Sequence, residues 1–141
     1  VSFHDLSRIQ YQAHICRFGP DDDGALVLAF IGEMPPGSAG NDDATFMSFI
    51  AGKFVALTLP DCVVFDFREL TYSFGNSLGE LPHAVHMQLP EMPIVLVISE
   101  KCCDGIATLF KGAASKGLLF SDLDDALARA RDLACVFARD W

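Results

Sequence analysis

Two short runs of β-branched and aromatic residues, Val63-Val64-Phe65-Asp66-Phe67 and Ile94-Val95-Leu96-Val97-Ile98, bracket a segment whose apolar residues fall at helical spacing. Apolar runs of that length read as strands covered on both faces, and two strands joined through a helix pair in parallel within one sheet. The chain is thereby committed to an open α/β architecture. Between the runs, Gly75, Asn76 and Ser77 offer a positive φ, a capping oxygen and a hydroxyl just before Leu78, Leu81, Val85 and Leu89. Val63 to Gly79 is therefore a strand, a loop and a helix start, with Ser77 expected to cap that helix. Pro82 either kinks the helix or opens it at its first position.

The rest of the chain fits around this unit. Residues 1–10 read as a flexible lead-in. Tyr11, Ala13 and Ile15 alternate with Gln12, His14 and Cys16, the period of a half-buried strand. After a turn at Gly19 to Gly24, the almost wholly apolar Ala25 to Ile31 predicts a second strand, antiparallel to the first. Gly32 to Gly40 holds Pro35, Pro36 and three glycines and predicts a loop that cannot continue that strand. Asn41 or Asp42 is placed to cap a helix whose buried face is Phe46, Phe49, Ile50 and Leu57. Beyond Ile98, Asp104 is placed to cap a helix running to Lys116, with Gly117 at its left-handed stop. Leu118 to Phe120 predicts a short strand. Ser121-Asp122-Leu123-Asp124 resembles a capping box before a final helix striped by Leu123, Leu127, Ala130, Ala134 and Phe137. No repeat or linker divides residues 1–141. The expected fold is one α/β domain: a single mixed, mostly parallel sheet opened by an antiparallel hairpin and flanked by helices.

Composition then narrows the function. Nineteen acidic against ten basic residues give a net charge of -9, which repels phosphate backbones and anionic lipids; ordinary solubility is its commoner meaning, and steering toward a basic protein the alternative. Neither nucleic acid nor a membrane is an expected partner. No apolar run approaches the roughly 18 residues of a membrane span and no basic-then-apolar start marks a signal peptide, so a cytoplasmic location is expected. Cys16, Cys62, Cys102, Cys103 and Cys135 are odd in number and indicate no disulfide framework. Cys102-Cys103 lacks the Cys-x-x-Cys pattern or nearby His of a zinc or redox site, and His83 and His86 have no third ligand. No metal and no cofactor is expected. Asp66, with Arg68 and Glu69, ends a strand where such sheets host chemistry, although a carboxylate there more commonly bonds loop amides. No nucleophile-elbow, zincin or nucleotide fingerprint is present, so no catalytic residue is assigned and the chain is not expected to be an enzyme.

The stretch from Val63 to Leu81 resembles the STAS domain, the module of sulfate transporters and of bacterial anti-sigma factor antagonists. That family shows an apolar strand ending in Asp, then Asp-Ser-Ser-Gly-Leu-Gly-x-Leu. Here the strand Asp falls on Asp66 and the last four positions fall on Leu78-Gly79-Glu80-Leu81. Phe74-Gly75-Asn76-Ser77 stands where the family has Asp-Ser-Ser-Gly, so the phosphorylatable serine is missing from its position. The resemblance implies a non-catalytic regulatory module that meets a protein partner through Ser73, Phe74, Gly75, Asn76, Ser77 and Glu80. The partner class it implies is a kinase-like anti-sigma factor, or the same chain in a homo-oligomer. Two other readings stay open: an acidic immunity or inhibitor protein that binds a basic toxin, and a small crotonase-like enzyme suggested by Pro93 to Ile98 followed by Gly105.

Overall fold

Val63, Val64 and Phe65 are fully buried, and the sheet is built outward from the strand they form. The computed structural model describes residues 7–139. In chain order the elements are β1 (Gln10–Cys16), β2 (Ala25–Glu33), α1 (Asn41–Thr58), β3 (Cys62–Asp66), β4 (Leu70–Thr71), α2 (Glu80–Gln88), β5 (Ile94–Val97), α3 (Cys103–Leu109), α4 (Lys111–Ser115), β6 (Leu119–Phe120) and α5 (Leu123–Arg139). Single 3-10 turns at Gly37–Gly40 and Ser77–Gly79 lead into α1 and α2. Strand order is β1-β2-β3-β5-β6, with β1 antiparallel to β2 and the other pairs parallel. The expected mixed sheet with an opening hairpin is thus the one the chain adopts.

Side-chain alternation sorts the strands between two helical layers. Leu26, Leu28, Phe30, Val63, Phe65 and Leu96 face a core completed by Met47, Ile50, Val55 of α1 and Leu81, Val85 of α2. The rings of Phe30, Phe65 and Phe67 stack there, with Phe65 and Phe67 centroids 5.7 Å apart. Ala25, Val27, Val64, Val95 and Val97 face the other way, against Ala126, Ala130 and Ala134 of α5. Small residues on that helix let it lie close to the valine surface.

Several local expectations give way to tertiary structure. β2 does not stop at Ile31, because Gly32 and Glu33 find new partners in Leu70 and Thr71 of β4. Phe49 and Leu57 of α1 are exposed; the helix is apolar nearly all round, and its sheet-facing side is set by Ala44, Met47, Ala51 and Val55 at spacings of three and four. Neither Asn41 nor Asp42 caps α1, since the 3-10 turn runs straight into it and Asn41 already donates its N–H to Ser38 O. Pro82 is the third residue of α2, inside the first turn, where its missing N–H leaves no helical bond unmade. The helix expected from Asp104 to Lys116 breaks at Phe110 (φ -109°, ψ 54°), whose ring packs against the core; Gly112 just beyond weakens any continuation. Gly117 does take the left-handed conformation. Asp122, not Ser121, caps α5: its Oδ1 accepts the Asp124 N–H at 2.8 Å. Of the proposed lead-in, residues 1–6 lie outside the described residues, while Ile9 is buried in the core and Ser7 donates to Asp43.

Candidate functional site

The chain leaving β3 is tied down on both sides. Gly32 N–H donates to Glu69 O (3.1 Å), Met34 N–H to Thr71 O (2.9 Å) and Gly37 N–H to Phe74 O (3.0 Å), three rungs that extend the sheet past its regular end. From the other side Tyr72 N–H donates to Lys101 O at 3.1 Å, and the Cys102 thiol lies 3.3 Å from Phe67 O. The segment therefore sits between the end of β2 and the β5 to α3 connection.

Asp66 is spent on holding the turn that begins this segment. Its Oδ1 accepts from the Arg68 N–H (3.1 Å) and Nε (2.9 Å), its Oδ2 from Nη2 (2.8 Å). Ser99 Oγ then donates to Arg68 O at 2.7 Å, and an exposed Lys101 to Glu69 pair closes the same corner at 2.9 Å. The carboxylate thus does what a loop-bonding Asp does, and the guanidinium that faces it is fixed by a two-pronged bond.

Two glycines shape the loop beyond this turn. Gly75 has φ +142°, and a Cβ there would stand 3.3 Å from Gly37 O. Gly105, in the first turn of α3, lies against Ser73 O and the ring of Tyr72 with no room for a side chain. Tyr72 is buried and its hydroxyl donates to Gly75 O; burial raises its phenol above the ordinary value. The result is a shallow cleft of about 330 Å³, with Ser73, Phe74, Gly75 and Asn76 on one wall and Asp104, Thr108 and Leu109 on the other. Phe74 projects from it, 63% exposed.

Four of the candidate loop residues are thus brought together, and three are not. Ser77 opens the 3-10 turn and Glu80 is the exposed first residue of α2, and neither they nor Asp66 belong to the cleft lining. The expected cap from Ser77 does not form. The turn is closed by backbone, Gly79 N–H to Asn76 O at 3.1 Å, and no side chain caps either it or α2. Sequence reasoning missed the second wall altogether. Gly105 was the available signal: a glycine inside an otherwise apolar helical pattern points to a close backbone approach. Because it is packed against Ser73, it also leaves no open glycine loop of the crotonase kind.

The remaining candidate chemistry resolves into packing. Burial pushes the Cys62 thiol up to about 12 and raises that of Cys102, which makes both poor nucleophiles. His86 Nε2 lies 2.9 Å from Met92 O. Among the described residues no group of three or more His, Cys, Asp or Glu is arranged to hold a metal ion, and no helix is long and apolar enough to cross a membrane. Larger cavities lie elsewhere, among them one of about 430 Å³ bounded by Pro82, His86, Met92 and Phe110. One of about 710 Å³ is bounded by Gly19 to Asp23, Leu59 and Asp61 at the N-terminal ends of the parallel strands, and one of about 680 Å³ lies beside β1.

No family model matches the chain, and no curated protein does. Its fold is similar to a crystal structure of an anti-sigma factor antagonist from Mycobacterium paratuberculosis, at a TM-score of 0.54 and 25% sequence identity, over 87% of this chain and 94% of that one. The chain has a STAS-like anti-sigma factor antagonist fold.

Proposed function

We propose that this non-catalytic, STAS-like regulatory module works as an anti-sigma factor antagonist, binding a kinase-like anti-sigma factor through the loop from Ser73 to Ser77 and the start of α2 at Glu80. The likeness to the mycobacterial antagonist along most of both chains carries this reading. The geometry of the loop supports it. Phe74 is an exposed aromatic that shares the cleft wall with Ser73 and Asn76, the composition from which interface anchors are drawn. With Gly75 and Asn76 at the family's serine position, the partner meets a loop in one charge state and the antagonist is constitutively competent. The inhibitor alternative rests on net charge and on the carboxylates of Asp21, Asp22, Asp23 and Asp61 at the far end of the sheet.

Titration calorimetry against the kinase-like anti-sigma factors of the same host tests the reading. Binding by one of them is expected, weakened at least tenfold by Phe74→Ala with the circular dichroism unchanged. Binding to none of them, or binding indifferent to Phe74 and Asn76, would discard it.

A further inference from the structure

β1 ends the sheet on one side, and among the described residues no strand pairs with it there. All seven residues keep register with β2, from Gln10↔Ile31 to Cys16↔Ala25, without a bulge. Solvent-facing edges are normally made safe by shortness, a bulge, a proline or a charged side chain. Gln10-Tyr11-Gln12-Ala13-His14-Ile15-Cys16 has none of these, in a chain of net charge -9. The opposite edge, β6, is only two residues long and offers no such template.

The side chains are sorted as pairing with a second copy requires. Tyr11 lies on the α1 face, its ring 6.3 Å from Phe46 and 5.8 Å from Phe54, and Ala13 and Ile15 pack against the same core. Gln12 and His14 are exposed on the opposite face. An antiparallel copy centred on Ala13 sets Ala13 against Ala13, Tyr11 against Ile15, Gln12 against His14 and Gln10 against Cys16. Two-fold symmetry repeats each unlike pair, none of them joins like charges, and an aromatic opposite a β-branched residue is a favourable cross-strand pair. A seven-residue ladder alone falls short of the roughly 1,200 Å² that a stable interface buries. The adjoining cleft of about 680 Å³, lined by Tyr11, Phe49, Ile50 and Lys53, extends the surface.

We propose that β1 is a homodimerisation edge, at which two copies of this chain join antiparallel about Ala13 into one continuous sheet. This inference is independent of the function proposed above. Antiparallel joining points the two Ser73 to Ser77 loops toward opposite ends of the joint sheet, so both stay accessible.

Sedimentation velocity of the intact chain over roughly 1 µM to 1 mM, the span of small interfaces, is expected to show the 15.3 kDa species giving way to one of twice that mass. Gln12→Lys with His14→Lys sets lysine opposite lysine at both pairs, and Gln12→Glu with His14→Glu does the same with glutamate. Both positions are exposed, so the fold is kept. Each double variant alone should dimerise at least tenfold more weakly, and an equimolar mixture of the two should regain the dimer because every Lys then meets a Glu. A wild-type chain monomeric throughout, a double variant as dimeric as wild type, or a mixture that stays monomeric would overturn the proposal.

Discussion

A Cβ on Gly105 would stand 2.5 Å from the carbonyl oxygen of Ser73 and 2.8 Å from the ring of Tyr72, so α3 and the loop after β4 meet with nothing between them. Gly105→Ala must push one of the two aside. Forcing a methyl into a packed site costs about 1–3 kcal/mol. Urea unfolding should show a loss of that size, and an unchanged midpoint would mean that α3 is not seated as described.

Phe65 is fully buried and its ring stacks on those of both Phe30 and Phe67, which also meet each other. Phe65→Ala removes both of its ring contacts and leaves a cavity that neighbouring strands cannot collapse into, a loss of about 3–5 kcal/mol. Thermal unfolding reads this directly. A melting temperature within a degree or two of wild type would remove β3 from the centre of the core.

Asp61 provides a pH test. Desolvation by burial raises its pKa, helped by the nearby carboxylates of Asp23 and Asp22 and opposed by the Asp23 N–H that donates to Oδ2 at 3.2 Å. A carboxyl whose folded pKa lies above its unfolded value, about 3.9, stabilises the fold fully below that value and ceases to as pH rises through the folded value. Asp61→Asn keeps an acceptor for the Asp23 N–H but never ionises. Relative to wild type the variant should therefore gain melting temperature between about pH 3 and pH 7. A difference that stays flat across that range would show that the buried charge has no cost.

The loop hydroxyls divide into two tests. Ser77 caps nothing, so Ser77→Ala should change stability by less than about 0.5 kcal/mol, as surface substitutions do, and a loss near 1 kcal/mol would reveal a cap after all. Asn76, exposed and at φ -101°, accepts any side chain, whereas Gly75 does not. If the chain meets a kinase-like partner, Asn76→Ser should restore a phosphate acceptor and Gly75→Ser should destabilise. Mass spectrometry after incubation with that partner and ATP checks both, and a wild-type chain phosphorylated on Ser73 or Ser77 would contradict the constitutive reading.

What the sequence made legible was whatever is encoded locally. Val63 to Phe67 and Ile94 to Ile98 identify themselves by β-branched density, and the Gly75 to Ser77 cluster marks a break between strand and helix. β4 carries no such mark: Leu70-Thr71 is a strand only because Gly32 and Glu33 lie alongside it. The expected face of α1 holds at Phe46 and Ile50, which are buried, and fails at Phe49 and Leu57 for a related reason: they advertise burial more loudly than Ala44 and Ala51, which are fully packed. One wall of the cleft is contiguous sequence and could be named; the other arrives from α3 through tertiary packing and could not.

The three backbone rungs joining Gly32, Met34 and Gly37 to Glu69, Thr71 and Phe74 bear on recognition as much as on the sheet. Fixing a residue's backbone costs about 1–2 kcal/mol of conformational entropy, and here that ordering is completed during folding, before any partner arrives. A protein docking on Phe74 would meet a loop whose backbone is already ordered, and would be opposed mainly by the freezing of side chains and of overall tumbling.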